Sequence, residues 1–125
     1  MNNQSLGRLG EDYTCEYLQT KGYKILERNF RNKLGEIDLI AQDGKTICFI
    51  EIKTRRSQRY GAPFEAVHST KQLRMVRLAL SYLKYRFRTI EVLSRFDVVS
   101  INFDSAQQPL IKHIVSAFDL THLSH

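Results

Sequence analysis

The chain of 125 residues has only two cysteines, two prolines and no tryptophan, and it has no long hydrophobic run. A membrane-spanning helix needs about 20 apolar residues in succession, so the sequence excludes one. Residues 1–9 lack the apolar core of an export signal, and we therefore expect a cytoplasmic protein. Cys15 and Cys48 do not have the spacing of a metal site, which predicts two free, buried thiols. No repeat or Pro/Gly-rich linker divides the sequence, so we expect one domain over residues 1–125, with a frayed tail at 119–125.

The charge of the chain is concentrated in its middle. Residues 1–50 carry seven basic and seven acidic side chains, residues 51–95 carry eleven and three, and residues 96–125 carry one and three. The middle block therefore has a net charge of +8, more than the +6 of the whole chain. Such a concentration predicts a polyanionic partner, either nucleic acid or an anionic membrane. A solvated basic helix surface would give the same pattern, so charge alone leaves these readings open.

Hydrophobic periodicity predicts two helices and five strands in the order αβββαββ. The first helix is expected to begin with Ser5 as its N-cap and to end near Lys21, with Gly22 as its stop. The second is expected at 69–87, and the strands at 23–31, 36–41, 46–53, 95–103 and 110–118. This order predicts a mixed sheet flanked by helices, in the α/β or α+β class.

Each predicted helix has an apolar face at helical spacing. On the first helix this face consists of Leu6, Leu9, Tyr13, Tyr17 and Leu18, and on the second of Leu73, Val76, Leu80, Leu83 and Phe87. The third strand is apolar almost throughout, which predicts a central strand covered on both faces.

The acidic residues of the second and third strands form the candidate site. A hairpin turn over 42–45 makes these strands antiparallel neighbours, and a symmetric turn would pair Asp38 with Phe49. Asp38 is expected to share a face with Ile40 and to lie diagonally from Glu51. Two carboxylates about 4 Å apart repel by roughly 4 kcal/mol at an effective dielectric of about 20, and a divalent cation would relieve this repulsion. A surface pair of Glu51 and Lys53 on a half-exposed strand is the alternative.

Asp38 and the run FIEIK at 49–53 resemble the active-site signature of the PD-(D/E)xK nuclease superfamily. A longer match, over about residues 5–103, resembles the small bacterial family of YraN-like predicted endonucleases. Four stretches carry it: GE at 10–11, GEIDLI at 35–40, FIEIKTR at 49–55 and RFDVV at 95–99. YGAP at 60–63 and EAV at 65–67, followed by Lys71, also fit, whereas Thr14, Cys15 and residues 104–125 depart from the pattern.

The resemblance implies a restriction-endonuclease-like fold with a three-layer α/β core. It also implies a metal-dependent endonuclease that acts on DNA, by analogy with Holliday-junction resolvases. Asp38 and Glu51 would hold Mg²⁺ or Mn²⁺, with Glu11 and the main-chain carbonyl of Ile52 as further ligands. Lys53 would orient or help deprotonate the attacking water.

The basic segment after the third strand would hold the phosphates of the substrate. Its candidate residues are Arg55, Arg56 and Arg59, together with Lys71 at the start of the second helix. DNA is favoured over RNA by the resemblance, and the size of the chain allows a homodimer. A catalytically inactive nucleic-acid-binding module and a protein whose basic helix contacts an acidic partner or anionic lipid are the two alternatives.

Overall fold

The computed structural model describes residues 3–56, 69–104 and 108–118. Its elements are α1 (Asn3–Thr20), β1 (Lys24–Asn32), β2 (Gly35–Asp43), β3 (Thr46–Arg56), α2 (Ser69–Phe87), β4 (Ser94–Phe103) and β5 (Pro109–Phe118). The predicted order is confirmed, and α2 has the predicted bounds. Arg59 and the predicted tail at 119–125 lie outside the described residues. Neither described helix is long and apolar enough to cross a membrane.

The five strands form one mixed sheet in the order β1-β2-β3-β4-β5. β3 and β4 are parallel, and the other neighbouring pairs are antiparallel. On β3, Ile47 and Phe49 pack into the cluster beneath α2, whereas Cys48 and Ile50 pack into the cluster beneath α1. The helices therefore cover opposite faces of the sheet, and the prediction of a central third strand is confirmed. Cys15 and Cys48 are free and buried, as predicted.

α1 ends in a left-handed residue, as the sequence predicts. Gly22 has a φ of +91°, its N–H donates to the carbonyl of Gln19, and the N–H of Tyr23 donates to the carbonyl of Leu18, both at 3.0 Å. This is the Schellman pattern, in which glycine avoids the steric cost of positive φ. The predicted N-cap is wrong, because α1 begins at Asn3 and Ser5 is already inside the helix.

The buried face of α2 differs from the predicted one. Met75, Leu78, Ala79, Tyr82 and Leu83 are buried, whereas Leu73 is 39% exposed. Tyr82 provides the reason, because its ring packs edge-on against the rings of both Phe30 and Phe49. Turning this large aromatic side chain toward the sheet rotates Leu73 outward and leaves Val76 and Leu80 only partly buried.

α1 approaches β3 very closely at Gly10. A Cβ atom at this position would lie 2.1 Å from Oγ1 of Thr54, so only glycine fits without a shift of the helix. This contact sets the next residue, Glu11, beside the end of β3.

A buried polar cluster joins β4 to the strands around it, and its central residue, Asp97, pairs with Ile50 of β3. Asp97 is fully buried and accepts hydrogen bonds from Nε of Arg95 at 3.1 Å and from the Ser116 N–H at 2.9 Å. Nε2 of His113 lies 2.9 Å from the same carboxylate. Arg95 also donates to Asp43 at 3.0 Å, so the cluster connects β2, β4 and β5.

Candidate functional site

The β2–β3 hairpin places Asp38 and Glu51 at corresponding positions on neighbouring strands. Asp43 pairs with Thr46 across a turn of two residues, and Gly44 has a φ of +61° there. The predicted register is wrong by two residues, because the prediction treated four residues as the turn. The last pair of the ladder is Leu39 with Ile50. The next residue on β2 is Asp38, and the next on β3 is Glu51.

Beyond this last pair, the Asp38 side chain connects the two strands. Its Oδ2 accepts a hydrogen bond from the N–H of Ile52 at 2.8 Å. The main chain of Ile52 is therefore part of the site through its amide group. The role expected for its carbonyl oxygen stays a prediction.

The alternation of side chains on β2 reverses at Asp38. Ile37 and Ile40 pack beneath α2, whereas Leu39 packs beneath α1, although residues 37 and 39 would share a face in a regular strand. On β1 the matching position is Asn29, which has a φ of +57°. Local irregularities of this kind redirect side chains and are common next to active sites.

Because of this reversal, Asp38 does not share a face with Ile40, contrary to the prediction. Asp38 instead lines a cavity of about 230 Å³ together with Gly7 and Glu11 of α1 and Ile52 and Thr54 of β3. Glu11, which the resemblance implies as a further ligand, thus lines the same cavity as Asp38.

The surroundings of Asp38 favour its uncharged form. Burial is the main cause that raises its pKa to about 7, and the nearby charge of Glu51 is the second. The carboxylates of Glu36 and Glu11 raise this pKa further, and the hydrogen bond from Ile52 lowers it. The charges of Glu51, Glu36 and Glu11 all raise this pKa, so a proton or a bound cation beside Asp38 would relieve their repulsion.

Glu51 is buried and contacts two lysines. Nζ of Lys71 lies 2.5 Å from its Oε2, and Nζ of Lys53 lies 3.7 Å from the same oxygen. Lys53 and Glu51 therefore share a face of β3, as predicted. The contact with Lys71 was missed, because the sequence analysis placed this lysine on substrate phosphates. Nothing in the local sequence indicates that the first turn of α2 reaches β3.

Glu11 is held in position from β1. Its Oε1 accepts hydrogen bonds from Nη2 of Arg28 at 3.2 Å and from Nδ2 of Asn29 at 3.1 Å. Arg28 also binds Asp12 at 2.7 Å, so it ties α1 to β1. Asn29 is thus opposite Asp38 in the sheet and also donates a hydrogen bond to the carboxylate of Glu11.

The pattern that defines the Uncharacterised protein family UPF0102 matches residues 10–101. The chain belongs to this family. It is 50% identical to a UPF0102 protein of Geobacter metallireducens over 122 residues, or 98% of each chain. It is 44% identical to one of Geobacter sulfurreducens, covering 97% of this chain and 94% of the relative. With one of Dictyoglomus thermophilum the identity is 43%, over 94% of this chain and all of the relative.

The UPF0102 match includes the residues that the fold brings together. Glu11, Asp38, Glu51, Lys53 and Lys71 all lie between residues 10 and 101. Arg55 and Arg56 lie in the same region, at the end of β3. Arg55 is half-buried and Arg56 is exposed.

The UPF0102 site has the chemistry of a magnesium site without its complete geometry. In the part of the chain that the structure describes, no three acidic, histidine or cysteine side chains are grouped as metal ligands. Glu11 is bound to Arg28, and Glu51 is bound to Lys71. Asp38 and Glu51 nevertheless offer the oxygen donors that Mg²⁺ prefers. The negative charges of Glu51, Glu36 and Glu11 favour a cation beside Asp38, so these oxygen donors are compatible with the expected ion.

Proposed function

We propose that this UPF0102 protein is a metal-dependent nuclease that hydrolyses phosphodiester bonds in DNA, on a restriction-endonuclease-like fold. The observation that carries the proposal is the nearness of Asp38 to Glu51, whose charge acts on Asp38 and whose carboxylate contacts Lys53 and Lys71. Paired acids beside lysines are suited to phosphoryl chemistry, because the acids hold a cation and the lysines attract phosphate oxygens. The free thiols of Cys15 and Cys48 agree with a cytoplasmic location.

Asp38 and Glu51 would hold Mg²⁺ or Mn²⁺, with Glu11 and the carbonyl of Ile52 as further ligands. When bound, the ion would supply an activated water and neutralise charge on the phosphoryl group. Lys53 orients the water and stabilises developing negative charge. The hydrogen bond from Ile52 restrains the rotation of the Asp38 carboxylate.

The proposed substrate is structured or branched DNA, bound through its phosphates. Arg55 and Arg56 at the end of β3, and Arg59 after them, supply planar donor groups that suit phosphate. Lys71, which contacts Glu51 from α2, contributes a further cation. A homodimer would present two such sites to a substrate with two-fold symmetry.

The test is a cleavage panel of linear, nicked, flapped and four-way DNA in Mg²⁺, for the wild type and for Asp38→Ala and Glu51→Ala. Both variants are expected to lose cleavage and to keep DNA binding. Glu16→Ala, an exposed residue of α1, is the charge-matched control and should cleave like the wild type. With Ca²⁺ in place of Mg²⁺ the wild type should bind without turnover, because the preferred geometries of the two ions differ. Cleavage that persists in both alanine variants would refute the assignment.

A binding module without catalysis is the second candidate. The pairing of Glu11 with Arg28 and of Glu51 with Lys71 favours it, because these carboxylates already have cationic partners. Calorimetric titration with Mn²⁺ separates the two functions. A nuclease binds the ion and loses this binding in Asp38→Ala, whereas an inactive module binds DNA and takes up no Mn²⁺.

A further inference from the structure

A second basic surface lies beside the candidate site, between the β1–β2 turn and the first half of α2. A concavity of about 260 Å³ is lined there by three cations, Lys33, Arg74 and Arg77, with Leu34, Thr70 and Leu73. We call it the turn–helix groove. All three cations are exposed, and none of the described residues that line the groove is acidic. Among the described residues, no carboxylate pairs with any of the three.

The position of the groove relates it to the candidate site. Gly35 begins β2 beside Arg74, whose side chain a Cβ atom at Gly35 would meet at 3.2 Å, and Asp38 lies three residues further on, about 10 Å along a strand. On α2, Lys71 contacts Glu51, and Arg74 and Arg77 follow at intervals of three residues. Arg74 therefore lies one helical turn from Lys71, and Arg77 one turn further on, so the two arginines connect the groove to the candidate site.

The composition of α2 indicates that this helix binds an anionic partner. The helix has five basic residues and no acidic one over its 19 residues. Lys71, Arg74 and Arg77 repel one another at this spacing, and no acidic residue of the helix compensates them. A fold that needed only a solvated surface would gain from alternating charges, as most exposed helices do. Glu36, the acidic residue beside Gly35, is already paired with Arg31 at 3.1 Å.

We propose that the turn–helix groove binds the phosphate backbone of double-helical DNA next to the position that is cut. This inference rests on the proposed nuclease function and adds the path that the duplex takes across the protein. From Lys71 to Lys84, α2 is about 20 Å long, which matches about six base pairs. A membrane is the less suitable partner, because a helix that lies on lipid buries its apolar face there, and the apolar face of α2 is in the core.

The test compares two triple variants that lose the same charge. The groove variant is Lys33→Gln/Arg74→Gln/Arg77→Gln. The control is Lys21→Gln/Lys24→Gln/Lys45→Gln, which changes exposed lysines around the opposite end of β2. Binding of a fluorescein-labelled 20-base-pair duplex is followed by anisotropy in EDTA, so that no cleavage occurs, from 50 to 200 mM NaCl.

Each lost phosphate contact lowers the slope of log affinity against log salt by about 0.9, so the groove variant should lose about 2.7. Across this salt range the wild-type affinity should then fall about 40-fold more than that of the groove variant. The control should keep the wild-type slope. Arg77→Glu alone, with its fold checked by circular dichroism, should weaken binding in the same direction.

Equal slopes for the groove variant and the control would overturn the proposal, as would a wild type that binds no duplex at 50 mM NaCl. Binding of the wild type to phosphatidylglycerol vesicles that is lost in the groove variant, with duplex binding intact, would assign the surface to lipid instead. Failure of the nuclease proposal has a different signature. Cleavage that persists in both Asp38→Ala and Glu51→Ala refutes the nuclease proposal, whatever the slope of the groove variant, whereas an equal slope in the groove variant concerns the groove alone.

Discussion

The substitution Asp97→Asn tests the buried cluster that joins β2, β4 and β5. It keeps the shape of the side chain but removes the charge and replaces one acceptor oxygen by an NH₂ group. Arg95 and His113, whose side chains are 17% and 6% exposed, then lose their shared carboxylate partner. The main-chain N–H of Ser116, which holds the edge strand β5, also risks losing its acceptor.

The expected loss in the free energy of unfolding is large. Removing one partner of a buried ion pair costs about 3–5 kcal/mol, because the other charge stays buried without compensation. At about 0.05–0.15 kcal/mol per residue, a domain of this length is stable by about 6–19 kcal/mol. The substitution is therefore expected to remove at least about 15% of the total stability, and most of it if the domain is only marginally stable.

Urea unfolding followed by circular dichroism measures this loss, with an unchanged m-value if only stability is affected. Asp43→Asn is the matched control, because Asp43 binds the same Arg95 at 3.0 Å but its side chain is 46% exposed. Partly exposed pairs contribute less than about 1 kcal/mol. If Asp97→Asn costs no more than Asp43→Asn, burial does not govern the cluster and the reasoning is wrong.

Two further predictions concern the site. Burial raises the pKa of Asp38 to about 7 from 3.8, so the native protein keeps this proton while the unfolded chain loses it. Metal-free stability should therefore fall as the pH rises from about 4 to about 7, and urea unfolding of Asp38→Asn should show this fall removed. Gly10→Ala should lower the free energy of unfolding by about 1–3 kcal/mol, because the added Cβ overpacks against Thr54. Gly7→Ala, whose added Cβ has no atom within 4 Å, should be neutral or stabilising. Thermal melts of both variants test this difference.

Local patterns in the sequence were sufficient for the order of the elements and for their approximate positions, and only α2 has the predicted bounds at both ends. The hydrophobic runs of β3 and β4 and the Gly44 turn are short-range signals, and each lies where it was predicted. The termination of α1 at Gly22 depends only on the conformational freedom of one residue. These features follow from interactions between residues close together in the chain.

The buried face of α2 depends on distant residues and was predicted incorrectly. The helix offers two overlapping apolar rows, one through Leu73 and Leu80 and one through Met75 and Tyr82. Both have helical spacing, so periodicity alone does not choose between them. The choice depends on the sheet, where Phe30 and Phe49 leave a space that the Tyr82 ring fills.

The orientation of Asp38 shows why a correct list of site residues does not give the site's geometry. Side chains alternate between the two faces of a sheet only while the backbone of the strand stays extended. Opposite Asp38, the β1 residue Asn29 has a φ of +57°, so the pair of strands is irregular at this position. Asparagine tolerates the left-handed conformation, so the residue type was a signal, but it does not indicate a reversal by itself. The consequence is that Asp38 meets Glu11 of α1, while Glu51 meets Lys71 of α2. The candidate site therefore includes residues of both helices that cover the sheet. It lies just beyond Leu39 and Ile50, the last pair of the β2–β3 ladder.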